Sequence, residues 1–209
     1  MRTIDLRIRP RSCAALFALC VSIPAAEAIA QEQPAQTGAG GLRAQPSGRG
    51  RTTVTLTGGA APARITIDYG QPHARGRAIV GSAIVPFDQV WRTGANEATS
   101  LTTDVDLTIG GVAVPKGTYT LYTLPSRTGW KLIINKNTGQ WGTEYRQEHD
   151  LARVDLRTRT LREPLDSFSI WLVPEATRNA QGGISGGLPR GVLRMAWGDV
   201  EVSTDWSVR

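Results

Sequence analysis

The chain has 209 residues, 40% of them hydrophobic, a formal net charge of +6 and only two cysteines. Both cysteines, Cys13 and Cys20, lie in an N-terminal leader, so the processed chain has no disulfide, no thiolate metal site and no cysteine nucleophile. The leader also removes four arginines and two acids, leaving +4 that is spread out rather than striped, which excludes a nucleic-acid interface.

Residues 1–30 read as a secretory signal peptide. Arg2, Arg7, Arg9 and Arg11 precede the apolar run "CAALFALCVSI", Pro24 ends it, and "AAEAIA" offers small-residue cleavage sites. Cleavage after Ala30 is favoured because polar "QEQP" follows. The run falls short of the about 20 residues a membrane span needs, so no transmembrane anchor remains after processing. Leu19 stands before Cys20 where a lipidation signal has a small residue. Arg9 and Arg11 are not adjacent, which disfavours a twin-arginine signal. The expected location is the periplasm or the medium.

Residues 31–50, "QEQPAQTGAGGLRAQPSGRG", hold one large aliphatic residue and cannot offset the entropy of ordering, so they read as a disordered linker. From Arg51 to Arg209 a period of two takes over. Ile65, Ile67 and Tyr69 alternate with Thr66 and Asp68; Val154 and Leu156 sit among Arg153, Asp155 and Arg157; Phe168, Ile170 and Leu172 alternate with Ser167, Ser169 and Trp171; Val200, Val202 and Trp206 continue the pattern. Such strands bury one face and wet the other. The arginines of "RVDLRTRTLR" therefore belong to an outer face. Gly110–Gly111 and Gly198–Asp199 read as two-residue hairpin turns. The best helical stretch, 142–153, supports one or two turns. The four glycines of 174–189 mark a loop of lid or ornament type. The expected fold is an all-β antiparallel sandwich or jelly-roll-like barrel of about ten short strands, with at most one short helix, in a single domain over 51–209.

The densest chemistry is "WRTGANEATS", residues 91–100. Gly94 permits a positive φ, and Asn96 tolerates one. A bend there presents Arg92, a planar fork of donors, and Glu97, an acceptor or base, from opposite sides. Either the two pair and hold the turn, or they face a cleft. Trp130, Trp197 and Trp206 sit at core strand positions; Trp91 and Trp141 flank glycine-containing turns and suit a cleft wall; Trp171 falls on a wet face.

Several stretches together resemble one bacterial family. "YGQPHARGRAIVG", "VWRTGANEAT", "VPKGTYTLYTLP", "WKLIINKNTGQWG" and "DLARV" stand in the order seen in the family catalogued as Domain of Unknown Function 2911. The resemblance spans residues 51–206 and implies an exported all-β domain, with no implied activity. Tyr69, Pro72, Gly76 and Arg77 match the family's first motif, of which His73 is not part.

Catalytic constellations are sparse. His73 and His149 are the only histidines, so a metal site on Glu144, Glu148, His149 and Asp150 would need His73 from another strand; a solvated charged turn is the better reading. The one G-x-S-x-G string, residues 183–187, holds Ser185 in the glycine-rich loop rather than on a strand-to-helix elbow, where a nucleophile would be poorly held. A carboxylate pair would need Glu97 with Glu144 or Asp150. The favoured reading is a binding sandwich without metal or cofactor. Its cleft comprises Arg77, Trp91, Arg92, Asn96, Glu97, Trp141 and Tyr145, and its partner is a small polar or anionic ligand or a cell-envelope component. The alternatives are a hydrolase using Glu97 and a purely structural envelope protein.

Overall fold

The computed structural model describes residues 47–175 and 187–209. The leader, most of the linker, and the glycine-rich part of the 174–189 loop, Ser185 included, lie outside the described residues. The fold is nearly all-β. Nine strands run in chain order: β1 (Arg49–Leu56), β2 (Ala63–Gly70), β3 (Thr99–Thr103), β4 (Leu107–Ile109), β5 (Val112–Val114), β6 (Gly117–Pro125), β7 (Trp130–Asn135), β8 (Asp150–Pro174) and β9 (Arg190–Val208). They hydrogen-bond in the order β1-β2-β3-β6-β7-β8-β9-β4-β5, every pair antiparallel. β1 and β5 are the two ends of the order, so the sheet is not a closed barrel. β1 begins at Arg49, just inside the stretch whose composition reads as linker.

β8 joins the two halves. Its first residues, to Leu156, pair with β7, and from Arg157 onward it pairs with β9. Its register slips twice, between Thr160 and Leu165 and between Leu165 and Ser169. Such irregularities bend a strand and raise its twist. The burial pattern follows the bend: Val154 and Leu156 are buried, the middle is mostly exposed, and Phe168, Ile170 and Leu172 are buried again. The sheet thereby folds back on itself. Phe168 meets the Tyr69 ring edge-on at 5.6 Å, and the backbone N–H groups of Ile170 and Leu172 donate to Tyr69 Oη (3.2 Å) and Thr52 Oγ1 (3.4 Å). Ile65 and Ile67 of β2 thus share one apolar core with Leu193 and Met195 of β9. Each fully buried aliphatic side chain contributes about 1.5–3 kcal/mol, enough in sum to stabilise a core without cross-links.

The two-residue turn at Gly110–Gly111 forms as expected between β4 and β5, with φ of 53° and 85°. The hairpin expected at Gly198–Asp199 does not form. Gly198 does take φ 60°, but β9 runs through it as one strand, and the left-handed residue serves the slip opposite Leu165 instead. A turn glycine and a bulge glycine need the same φ, so the dipeptide alone does not distinguish them. The helix expected over 142–153 reduces to a single 3-10 turn, Gln147–His149, because β8 captures the chain from Asp150. β8 and β9, at 25 and 19 residues, are also far longer than the short strands expected.

Between β2 and β3 the chain runs from Gln71 to Ala98 without a regular strand, held by isolated bridges at His73–Ser167, Val80–Val85, Trp91–Thr123 and Glu97–Trp141. In a compact domain a connection this long is uncommon and usually functional.

Candidate functional site

The segment 91–98 is pinned on several sides. Trp91 and Thr123 of β6 exchange both backbone hydrogen bonds (2.8 and 3.0 Å). Ala95 N–H donates to Gly70 O at the end of β2 (3.2 Å), Gly142 N–H to Asn96 O (3.1 Å), and Ala98 N–H to Gln140 O (3.3 Å). Gly70 is obligatory there, since a Cβ on it would lie 2.6 Å from the Ala95 carbonyl carbon and nearer still to its oxygen.

This close docking forces unusual backbone. Thr93 takes φ 53° and Asn96 φ 62°. Asn is expected to tolerate this; a β-branched residue is not. Thr93 is completely buried, with its hydroxyl 3.3 Å from Trp91 O and 3.2 Å from Thr123 Oγ1, while Thr99 Oγ1 donates to Thr93 O (2.7 Å). The surrounding bonds hold a conformation that costs of order 1–3 kcal/mol, and such strain clusters at functional sites.

The segment forms one wall of an open cleft of about 470 Å³, within the range of small-molecule sites. Arg77, Trp91, Arg92, Asn96 and Tyr145 line it, together with Pro72, Ile84, Pro86, Val90, Tyr122, Thr143 and Trp197. Five of the seven residues read from sequence as a cleft are thus brought together. Arg77 comes from the long connection and is fixed by its own turn, Nε donating to Ala74 O and Nη2 to His73 O, both at 2.8 Å. Arg92 is half-buried, its stem crossing Gly142, where a Cβ would meet Arg92 Cδ at 2.8 Å. Among the described residues its guanidinium has no hydrogen-bond or ion-pair partner, the one arginine of the cleft whose whole fork is uncommitted. Trp91 is buried, stacked on Trp197 (5.8 Å, 18° between planes) and edge-on to Phe168 (5.1 Å). It is at once core and cleft floor.

Tyr145 is held by an ionic bracket. Its hydroxyl donates to Asp150 Oδ2 (2.7 Å) and accepts from Arg153 Nη2 (2.8 Å), and Arg153 Nε reaches the same carboxylate oxygen (2.9 Å). Burial, and then the bond to the Asp150 carboxylate, push the Tyr145 phenol up to about 12. The ring packs edge-on to Tyr122 at 5.0 Å. Burial likewise raises Tyr122, whose hydroxyl donates to Glu144 O (3.2 Å) and accepts from Gln140 (3.0 Å). Both phenols stay neutral at physiological pH with their hydroxyls committed, so they offer ring surface.

Glu97 and Trp141 do not line this cleft. Glu97 does not pair with Arg92; its side chain, 61% exposed, meets Arg49 Nη1 at 3.2 Å, and Arg49 also binds Asp68. Trp141, 46% exposed, lies opposite Glu97 in the bridge. The bend does present Arg92 and Glu97 on different sides, and only one of them faces the cleft. Tyr122 and Trp197 are cleft residues that alternation assigns to strands and core. The sequence carries no signal that a core ring also forms a floor.

Elsewhere, His73 Nδ1 lies 2.8 Å from Ser167 Oγ and 3.4 Å from Asp166 Oδ2. Both approach the same ring nitrogen, so they do not form a relay in which base and orienting acid use opposite nitrogens. Asp150 is spent on Tyr145, Arg153 and Asn135. Among the described residues no three His, Cys, Asp or Glu side chains gather as metal ligands, and no helix is long and apolar enough to cross a membrane. The expected core positions of Trp130, Trp197 and Trp206 and the exposed one of Trp171 are observed.

A family model described as "Protein of unknown function (DUF2911)" matches residues 51–205. No curated protein and no solved structure matches the chain.

Proposed function

The chain belongs to the DUF2911 family, and from that premise we propose that it is an exported binding protein whose cleft between Arg77, Arg92, Asn96, Trp91 and Tyr145 holds a small polar or anionic ligand, free or displayed by the cell envelope. The leader pattern in residues 1–30 supports export. One observation carries the binding reading: a half-buried arginine without a partner among the described residues, on a strained segment, at the wall of an open cleft. A guanidinium kept only for structure is expected to be paired. Among the described residues no carboxylate lines the cleft, which leaves binding better supported than acid–base hydrolysis; Glu97 as a catalytic group would have to act on the outer surface beside Arg49.

A thermal-shift screen of polar and anionic small molecules tests this, run on the wild type and on Arg92→Ala. At least one class of compound should raise the wild-type melting temperature and leave that of Arg92→Ala unmoved. The variant itself should fold with a stability within about 1 kcal/mol of wild type, because only stem packing is lost. Collapse of Arg92→Ala without ligand would favour the purely structural reading. Hits that shift both proteins equally would remove the cleft assignment.

A further inference from the structure

The geometry points to the ligand class of this cleft: a small monocarboxylate with an apolar body, amines and zwitterions being excluded. The inference rests on the binding reading above and goes beyond it by naming both ends of the ligand.

The head follows from charge. Among the described residues, Arg77 and Arg92 are the only charged side chains lining the cleft. An ammonium would find two guanidinium groups and no acid, so an amine is repelled and an amino acid gains at one end and loses at the other. The carboxylates next to lining residues in sequence, Asp88, Glu97 and Glu144, are exposed and do not themselves line the cleft, Glu97 being turned out to Arg49, and Asp150 is bracketed by Tyr145 and Arg153. Arg77 already spends Nε and Nη2 on backbone carbonyls, so it contributes field more than a full fork. Arg92 alone has an uncommitted fork, which matches one planar carboxylate bidentately. A phosphate dianion would ask for donors on three oxygens.

The body follows from the rest of the lining. Ile84, Pro86, Val90, Trp91 and Trp197 give an apolar wall. The two tyrosines add ring surface without free hydroxyls, because Tyr145 Oη is held by Asp150 and Arg153 and Tyr122 Oη by Glu144 O and Gln140. A sugar, with a hydroxyl on nearly every carbon, would leave most of them unpaired here, at the cost that attends buried polar groups. Ser47, Asn96 and Thr143 are the remaining polar side chains among the described lining residues, enough to orient one head. The stacked Trp91–Trp197 pair also lines a small apolar hollow of about 20 Å³, and the two buried rings form the cleft floor against which the body lies.

The test titrates the full chain with 3-phenylpropionate, 3-phenylpropylamine, phenylalanine and phenyl phosphate, following tryptophan emission, since Trp91 and Trp197 would report contact. 3-Phenylpropionate should saturate, and the other three should bind at least about tenfold more weakly, the scale of one charged hydrogen-bonded head. Arg92→Ala should weaken the carboxylate about tenfold or more. So should Thr143→Glu, which places a carboxylate in the cleft at an exposed position and leaves the core untouched. An amine, zwitterion or phosphate binding as tightly as the carboxylate, or a carboxylate that does not bind, overturns the ligand class. If such a competitor still depends on Arg92, the binding reading survives. Binding of any probe that neither variant alters overturns the cleft itself.

Discussion

Gly70→Ala tests how the arginine-bearing wall is held. A methyl group at Gly70 would press into the peptide of Ala95, 2.6 Å from its carbonyl carbon and 2.9 Å from its nitrogen. Both partners are backbone, so no side chain can swing aside. Ala95 N–H also donates to Gly70 O at 3.2 Å, and that bond must open for the strands to part. Overpacking of this kind costs about 1–3 kcal/mol, and the lost hydrogen bond about 1 kcal/mol, giving about 2–4 kcal/mol together. For a domain of this size each kcal/mol moves the melting temperature by about 2–4 °C, so a fall of about 5–15 °C is expected. Gly129→Ala is the matched control, since nothing lies within 4 Å of its would-be Cβ. It should change stability by no more than about 0.5 kcal/mol. Differential scanning calorimetry of both variants beside wild type reads the difference directly. A Gly70→Ala melting temperature equal to that of Gly129→Ala would mean that 91–98 is not seated on the end of β2.

Two further outcomes follow from the ionic networks. Bidentate bonds from Arg159 (2.8 and 2.9 Å), partly opposed by burial, hold Glu201 below its ordinary 4.5, with Arg194 bound to the same carboxylate. A depressed carboxylate stabilises above its unfolded pKa and loses that contribution as pH falls through the folded one. Glu201→Gln should therefore cost about 1–3 kcal/mol at neutral pH and flatten the loss of stability below pH about 4.5 in denaturant titrations; an unchanged acid limb would contradict it. For Tyr145 the sign reverses. Its phenol is raised from 10.0 to about 12, so its contribution is complete below 10 and is lost as pH rises through 12. Ultraviolet titration of Tyr145→Phe against wild type should remove a phenolate that forms only near pH 12; removal of one near 10 would show that the Asp150–Arg153 bracket is absent in solution.

Much of the fold was legible because alternation reports burial directly. Ile65, Ile67, Tyr69, Val154, Leu156, Phe168, Ile170 and Leu172 are all inside, as period two requires. The length and path of β8 and β9 were not, because a bulge leaves almost no local mark: Gly198 has the same left-handed backbone in a continuing strand as in a turn. The cleft was legible as far as turn chemistry reaches. Asn96 and Arg92 lie where the bend puts them, but the strained residue proved to be Thr93, whose positive φ no propensity suggests. Glu97 was misplaced for a tertiary reason. Its neighbour across space is Arg49, from a strand nearly fifty positions earlier, and nothing near residue 97 announces that partner. Trp197 shows the same limit, since a buried ring and a cleft floor have one sequence signature.

The reactivity of Arg92 bears on all of this. Phenylglyoxal modifies uncommitted guanidinium groups, and peptide mass spectrometry assigns each adduct to its arginine. Arg157 and Arg159 are tied bidentately to Asp205 and Glu201 and provide the internal reference. With its fork open to the cleft, Arg92 should be labelled faster than either, and 3-phenylpropionate should slow it without affecting the reference pair. Labelling of Arg92 as slow as that of Arg157 and Arg159, unchanged by the carboxylate, would mean that its fork is not free and that the cleft is not a binding site.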